Sequence, residues 1–143
     1  MKAYRVHEYG DAAKFIEDEV NKPSAKKGHV VVEVKASSLN PIDHKFLKRD
    51  LGINPALPGI LHMDVAGVIT EVGEGVTAFK TGDEIYGCAG GLQGEAGNIE
   101  GALADFMLAD SNLIALKPKS LSFSESAALP LVTITAWEGL FDR

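Results

Sequence analysis

A chain of 143 residues, 45% hydrophobic, with one cysteine and a formal net charge of −6, has room for one domain with a real core and little room for two. The acidic balance excludes nonspecific binding to nucleic acid or to an anionic membrane surface, each of which needs a clustered basic face. The lone Cys88 excludes an internal disulfide and a cysteine-rich zinc lobe, and no apolar run reaches the roughly 18 residues of a bilayer span.

The chain opens on MKAYRVHEYG, where Lys2 is followed by no apolar stretch of the kind a secretory signal carries, so the expected location is the cytoplasm. Alternating and β-branched residues predict strands at Lys2–Val6 and His29–Ala36. In Asn40-Pro41-Ile42-Asp43, Asn40 suits a helix cap, Pro41 the first helical position and Asp43 the positive helix end. A helix is therefore expected from Pro41 to about Arg49, with Lys45, Lys48 and Arg49 on a solvated face. A third strand follows at Val65–Val72, bounded by turns at Gly73-Glu74-Gly75 and Thr81-Gly82-Asp83.

From Cys88 to Gly101 the glycines at 90, 91, 94, 97 and 101 predict a loop, read as a mobile surface connection in preference to a wall of a substrate cleft. Strands are expected again at Leu103–Leu108 and, shorter, at Asn112–Leu116. Ser122-Phe123-Ser124-Glu125 has the form of a capping box and starts a second helix. Pro130 kinks or divides that helix before it resumes over Thr133-Ile134-Thr135-Ala136-Trp137. Short strands at this spacing predict a compact barrel or sandwich.

Gly73-Glu74-Gly75-Val76-Thr77-Ala78 has the spacing of a dinucleotide fingerprint and follows a strand. That motif requires a helix from its second glycine, and the turn at Thr81-Gly82-Asp83 leaves no room for one. These glycines are read as backbone turns.

Pro58-Gly59, Asp64 with Ala66-Gly67, Val72-Gly73 and Gly82-Asp83 occur in an order that resembles the GroES-like amino-terminal domain of the medium-chain dehydrogenase/reductase superfamily. MKAYRVHEYG, SSLNPIDHKFL and AALPLVTITAWEGL extend the resemblance to nearly the whole chain. It implies a mainly β fold with flanking helices, a GroES-like partly open β-barrel, over residues 1–128. Residues 129–143 then begin an interdomain helix leading to a Rossmann domain that this chain lacks.

Catalytic zinc needs three ligands drawn from cysteine, histidine and carboxylates. The resemblance places the family's three ligand positions on Asn40, Met63 and Leu131, which implies the zinc-independent branch of NADPH:quinone oxidoreductases and enone reductases. His62 adjoins the second position, and as a strand neighbour it is expected to face the other way, as a surface or hydrogen-bonded histidine. His7, His29 and His44 are expected at the surface, and Cys88 as a bystander thiol. Asn40 is the candidate catalytic amide, facing substrate or nicotinamide; Lys45, where related quinone reductases carry a tyrosine, and Thr135 are further candidates for those contacts. Asp43 and Asp64 are expected as structural groups at the site.

The implied activity is reduction of a small quinone or conjugated enone by direct hydride transfer, with NADPH bound by the longer protein, no zinc, and no activity in this chain alone. A homodimer of the longer protein is implied as well. Two alternatives stay open: a zinc-type alcohol dehydrogenase domain with a degenerate metal site, and a non-catalytic GroES-like binding module.

Overall fold

The computed structural model describes residues 1–94 and 97–141, so the tip of the glycine-rich connection and the last two residues lie outside the described residues. The first half of the chain forms β1 (Lys2–Val6), β2 (Phe15–Glu19), β3 (His29–Ser37), α1 (Pro41–Lys48), β4 (Gly59–Ile60) and β5 (Asp64–Val72). Then come β6 (Glu84–Cys88), β7 (Leu92–Gly94), β8 (Gly97–Ile99), β9 (Phe106–Asp110), β10 (Ile114–Leu116), α2 (Phe123–Ala127) and α3 (Pro130–Phe141). No helix among the described residues is long and apolar enough to cross a membrane.

The strands pair antiparallel in a five-stranded sheet of order β10-β6-β5-β3-β9, a three-stranded sheet β2-β1-β4 and the hairpin β7-β8. The larger sheets meet at an isolated bridge between Ala3 and Ala104 and do not close into a full barrel. This is the mainly β, partly open GroES-like architecture that the sequence implies. One core cluster gathers Val30, Val32, Val65, Ile69, Ile85 and Met107 between the strands of the large sheet. A second gathers Val6, Phe46 and Leu61, with Phe15, Ile42 and Leu47 packed around them. Because Phe46 and Ile42 belong to α1, this second cluster pins α1 to the small sheet and fixes where its N-terminus points.

Several element boundaries differ from expectation for local reasons. The strand expected at Leu103–Leu108 begins at Phe106, because the Leu103 carbonyl accepts from Tyr4 N–H and Asp105 N–H donates to the Lys2 carbonyl. The strand expected at Asn112–Leu116 begins at Ile114, because Asp110 turns the chain by accepting from Asn112 N–H at 2.8 Å. Outside the glycine-rich stretch, three strands, β2, β4 and β6, lie where none was expected. The glycine-rich stretch expected as a loop contains the β7-β8 hairpin and packs by close backbone contact. A Cβ at Gly101 would lie 1.9 Å from the Leu61 carbonyl oxygen, which makes Gly101 a packing position. Gly73 and Gly75 are turn residues, with no helix between them and β6.

Both helix starts follow their sequence signals. Asn40 precedes α1, with its N–H on Asp43 Oδ2 at 2.8 Å and its carbonyl accepting from Asp43 N–H at 3.0 Å. Ser122 caps α2, accepting from Glu125 N–H and bonding the Glu125 carboxylate at 2.7 Å. Pro130 divides the helices, and α3 starts at Pro130 itself where Thr133 was expected, since a first-turn proline sacrifices no hydrogen bond.

Gly67 lets β5 close on β3: a Cβ there would sit 2.2 Å from the Glu33 carbonyl oxygen and 2.7 Å from Val32 Cγ1. Gly67→Ala is expected to cost about 3 kcal/mol, read as a lower denaturant midpoint. An unchanged midpoint would mean that the two strands are not this close.

Candidate functional site

The polar site lies where the loop after β3, the first residue of β5, the end of β6 and the start of α3 converge. Asp64, fully buried, is the centre of it. Its Oδ2 accepts from Ser38 Oγ at 2.7 Å and Asn40 Nδ2 at 2.9 Å, and its Oδ1 accepts from Leu131 N–H at 3.0 Å. A first-turn N–H has no acceptor inside its own helix, so Leu131 gains from Asp64 both a partner and a negative charge at the positive helix end. A buried carboxylate is tolerated only when hydrogen-bonded, and three donors from two segments meet that condition.

Two of the three positions where the resemblance places metal ligands, Asn40 and Leu131, thus converge on one carboxylate. Their donor chemistry does not fit zinc: the three positions supply an amide, a thioether and a hydrocarbon where thiolate, imidazole or carboxylate is needed. Among the described residues no group of three or more histidine, cysteine, aspartate and glutamate side chains could hold a metal.

Asp43, also fully buried, forms a second clamp. Its Oδ2 holds Asn40 N–H, and its Oδ1 accepts from His62 N–H at 3.2 Å. Asn40 is 5% exposed, and its side chain makes no cap hydrogen bond to α1. Its Nδ2 protons go to Asp64 and, at 3.2 Å, to Ser38 Oγ, which leaves Oδ1 as the atom of the amide without a hydrogen bond.

His62 is hydrogen-bonded, one of the two outcomes expected, but the strand from which that was argued is absent. It lies between β4 and β5, outside any strand, so alternation does not govern its direction. Its backbone is left-handed, with φ of 72°, and its ring is half-buried. Nδ1 lies 3.0 Å from Ser37 Oγ, and the ring meets Phe15 edge-on at 6.2 Å between centroids. Burial pulls its pKa below the ordinary 6.5, and the charges of Asp43 and Asp64 offset part of that effect.

Asn40, Asp43 and Asp64 come together, while Lys45 and Thr135 stand outside this network. Lys45 is exposed, and its ammonium makes no salt bridge among the described residues. Thr135 is exposed on α3, one turn beyond Leu131. His7 and His44 are exposed as expected, but His29 is half-buried, its Nδ1 2.9 Å from the Lys27 carbonyl.

Ser37, Ser38 and the contact of Cys88 with Asp64 were not legible beforehand. The antiparallel register that opposes Asp64 to Cys88 depends on β6. Burial first, then the Asp64 charge and hydrogen bond, then Asp43, push the Cys88 thiol up to about 12. Labelling by a disulfide reagent at pH 8 is therefore expected about a thousandfold slower than for a thiol at 9.0. Asp64→Asn should speed it severalfold; labelling of the original chain at a free-thiol rate would contradict this environment.

The alcohol dehydrogenase GroES-like domain family matches residues 26–119. The 2-methylene-furan-3-one reductase of Solanum lycopersicum is 41% identical over 98% of this chain and 37% of its own length. The NADPH-dependent alkenal/one oxidoreductase of Arabidopsis thaliana, chloroplastic, is 37% identical, with 98% and 37% covered. The quinone oxidoreductase of Rattus norvegicus is 33% identical over 99% of this chain and 41% of its own. Among solved structures, an alcohol dehydrogenase superfamily protein from Novosphingobium aromaticivorans superposes with a TM-score of 0.89 at 37% identity, covering all of this chain and 42% of that one. The chain thus spans about two fifths of the length of these relatives. The family match, the relatives and the shared fold agree: the chain belongs to the alcohol dehydrogenase GroES-like domain family of the medium-chain dehydrogenase/reductase superfamily.

Proposed function

We propose that this chain is the amino-terminal, substrate-holding part of an NADPH-dependent reductase of quinones or conjugated enones. Residues 1–128 are its catalytic domain, and residues 129–143 begin the helix that leads to a cofactor-binding Rossmann domain. The observation that carries this reading is the replacement of a metal donor set by an Asp64-centred hydrogen-bond network, in a chain 33% to 41% identical to three reductases.

When bound, a dihydronicotinamide supplies a hydride to an electron-poor alkene or quinone. The residues here fit the nicotinamide end of such a cofactor. Asn40 Oδ1 accepts no hydrogen bond, so Asn40 offers a fixed acceptor to a carboxamide N–H or a substrate hydroxyl. Thr135 offers an exposed hydroxyl farther along α3, and Lys45 an exposed cation on α1. Asp43 and Asp64 orient Asn40 alone of the three.

The surface of α3 supports a following domain. Val132, Ile134, Trp137, Leu140 and Phe141 are all exposed, Trp137 to 58% and Leu140 to 74%, on a helix anchored at its first turn. So much apolar area on one exposed element marks a contact surface. For location this reading assigns the cytoplasm, where an unpaired Cys88 stays reduced.

The test is NADPH oxidation by the full-length protein carrying this chain, with 1,4-benzoquinone as acceptor, with and without a strong chelator. Turnover that ignores the chelator is expected, with no turnover and no micromolar NADPH binding by residues 1–143 alone. Chelator-sensitive alcohol oxidation would favour a zinc enzyme instead; tight NADPH binding by the isolated chain would contradict the assigned division of labour.

A further inference from the structure

Reduction of an enone or quinone leaves negative charge on the carbonyl oxygen, and a site without a metal must meet that charge with a hydrogen-bond donor. Most polar groups here are committed elsewhere. Asp43 and Asp64 only accept, Asn40 spends its Nδ2 protons on Ser38 and Asp64, and the Ser38 hydroxyl donates to Asp64. Met63 and Leu131 carry no side-chain donor.

Resting on the reductase reading, we propose that His62 is a catalytic residue whose Nε2–H donates to the developing oxyanion of the substrate. The ring's second nitrogen is engaged: Nδ1 lies 3.0 Å from Ser37 Oγ. With the Ser37 hydroxyl donating, a neutral ring carries its proton on Nε2. Among the described residues Nε2 has no hydrogen-bond partner, and it is not one of their buried unpartnered side-chain atoms, so it is free to donate.

The position is also built. Asp43 Oδ1, which shares its carboxylate with Asn40, holds the His62 N–H. Two glycines pack on the His62 backbone: a Cβ at Gly101 would come within 2.6 Å of the His62 carbonyl oxygen, and one at Gly91 within 3.1 Å. The Phe15 ring braces the imidazole edge-on. Lys45 and Thr135 also carry donors, but both are exposed and nothing in the fold fixes their side chains.

The backbone supplies an independent sign. His62 is the one non-glycine residue with positive φ among the described residues, a conformation that glycine adopts without strain. A side chain kept in such a conformation by its surroundings is a mark of functional positions.

The chemistry balances without a proton leaving the protein permanently. A hydride from a dihydronicotinamide adds to the β-carbon, and the C=C π pair shifts to give an enolate whose oxygen accepts from Nε2–H. Water at the open edge then protonates the α-carbon, giving the saturated ketone, hydroxide and the oxidised nicotinamide.

The test compares the original full-length protein with His62→Gly and His62→Gln, using 3-penten-2-one and 1,4-benzoquinone as acceptors. Turnover by the original protein supports the reductase reading independently of His62; no turnover with either acceptor sinks that reading and this assignment with it. His62→Gly should lower kcat about a hundredfold with KM for NADPH unchanged, the loss typical of one oxyanion donor. Its thermal midpoint should hold, because glycine suits the left-handed backbone. His62→Gln, which keeps an N–H donor, should recover part of the loss. In the original protein with NADP+ bound, 4-nitrophenolate should shift the 15N resonance of His62 Nε2. A His62→Gly enzyme with kcat within twofold of the original, a loss of midpoint in place of kcat, or an unmoved Nε2 resonance would overturn the assignment.

Discussion

One buried negative charge organises this domain. The Asp64 carboxylate has no exposed surface, and a charge so placed is tolerable only with its oxygens fully engaged. The chain answers with Ser38 and Asn40 from the loop after β3, and the Leu131 N–H from the start of α3. Segments far apart in sequence are therefore drawn to one point. The direction of the Asn40 amide, the seat of α3 and the environment of Cys88 all follow from it. Removing Asp64 would take one acceptor from three donors at once, which is more costly than losing any one of these bonds.

Asp43 extends the arrangement. It ties the start of α1 to His62, so both carboxylates act on Asn40, one through its main chain and one through its side chain. The relation to a metal centre is direct. Two of the positions that the resemblance assigns to metal ligands, Asn40 and Leu131, are here gathered by a carboxylate and hydrogen bonds. On the proposed reading, fixed polar groups then orient the substrate and stabilise developing charge.

Much of the frame was legible in the sequence, for physical reasons that can be named. β1, β3 and β5 have apolar or β-branched runs, and the starts of α1 and α2 are held by local hydrogen bonds of the Asp43 carboxylate and of the Ser122 and Glu125 side chains. The ordered Ala66-Gly67 and Gly82-Asp83 pairs carried the family resemblance, and Gly67 shows why one of them is glycine: β3 leaves no space for a Cβ. β2 was hidden because Glu17, Asp18 and Glu19 mask its pattern, although cross-strand partners such as Arg5 and Lys2 neutralise two of them. β6 was hidden by its length and by Gly87. Missing it also hid the register that sets Cys88 against Asp64. For His62 the hydrogen-bonded outcome held, but a strand was assumed where the backbone turns left-handed, a change that no local residue preference announces for histidine. The glycines from 90 to 101 were read as slack when Gly101 is a close backbone contact.

The most direct test of Asp64 as the organising charge is amide hydrogen exchange at Leu131. A first-turn helix N–H ordinarily exchanges fast for want of an acceptor, so protection there reports the bond to Asp64. The structure predicts that Leu131 is protected, and that Asp64→Ala removes this protection while amides of the β3-β5 pairing keep theirs. Equal exchange at Leu131 in the two proteins would contradict the account, because α3 would then be seated by something other than this carboxylate.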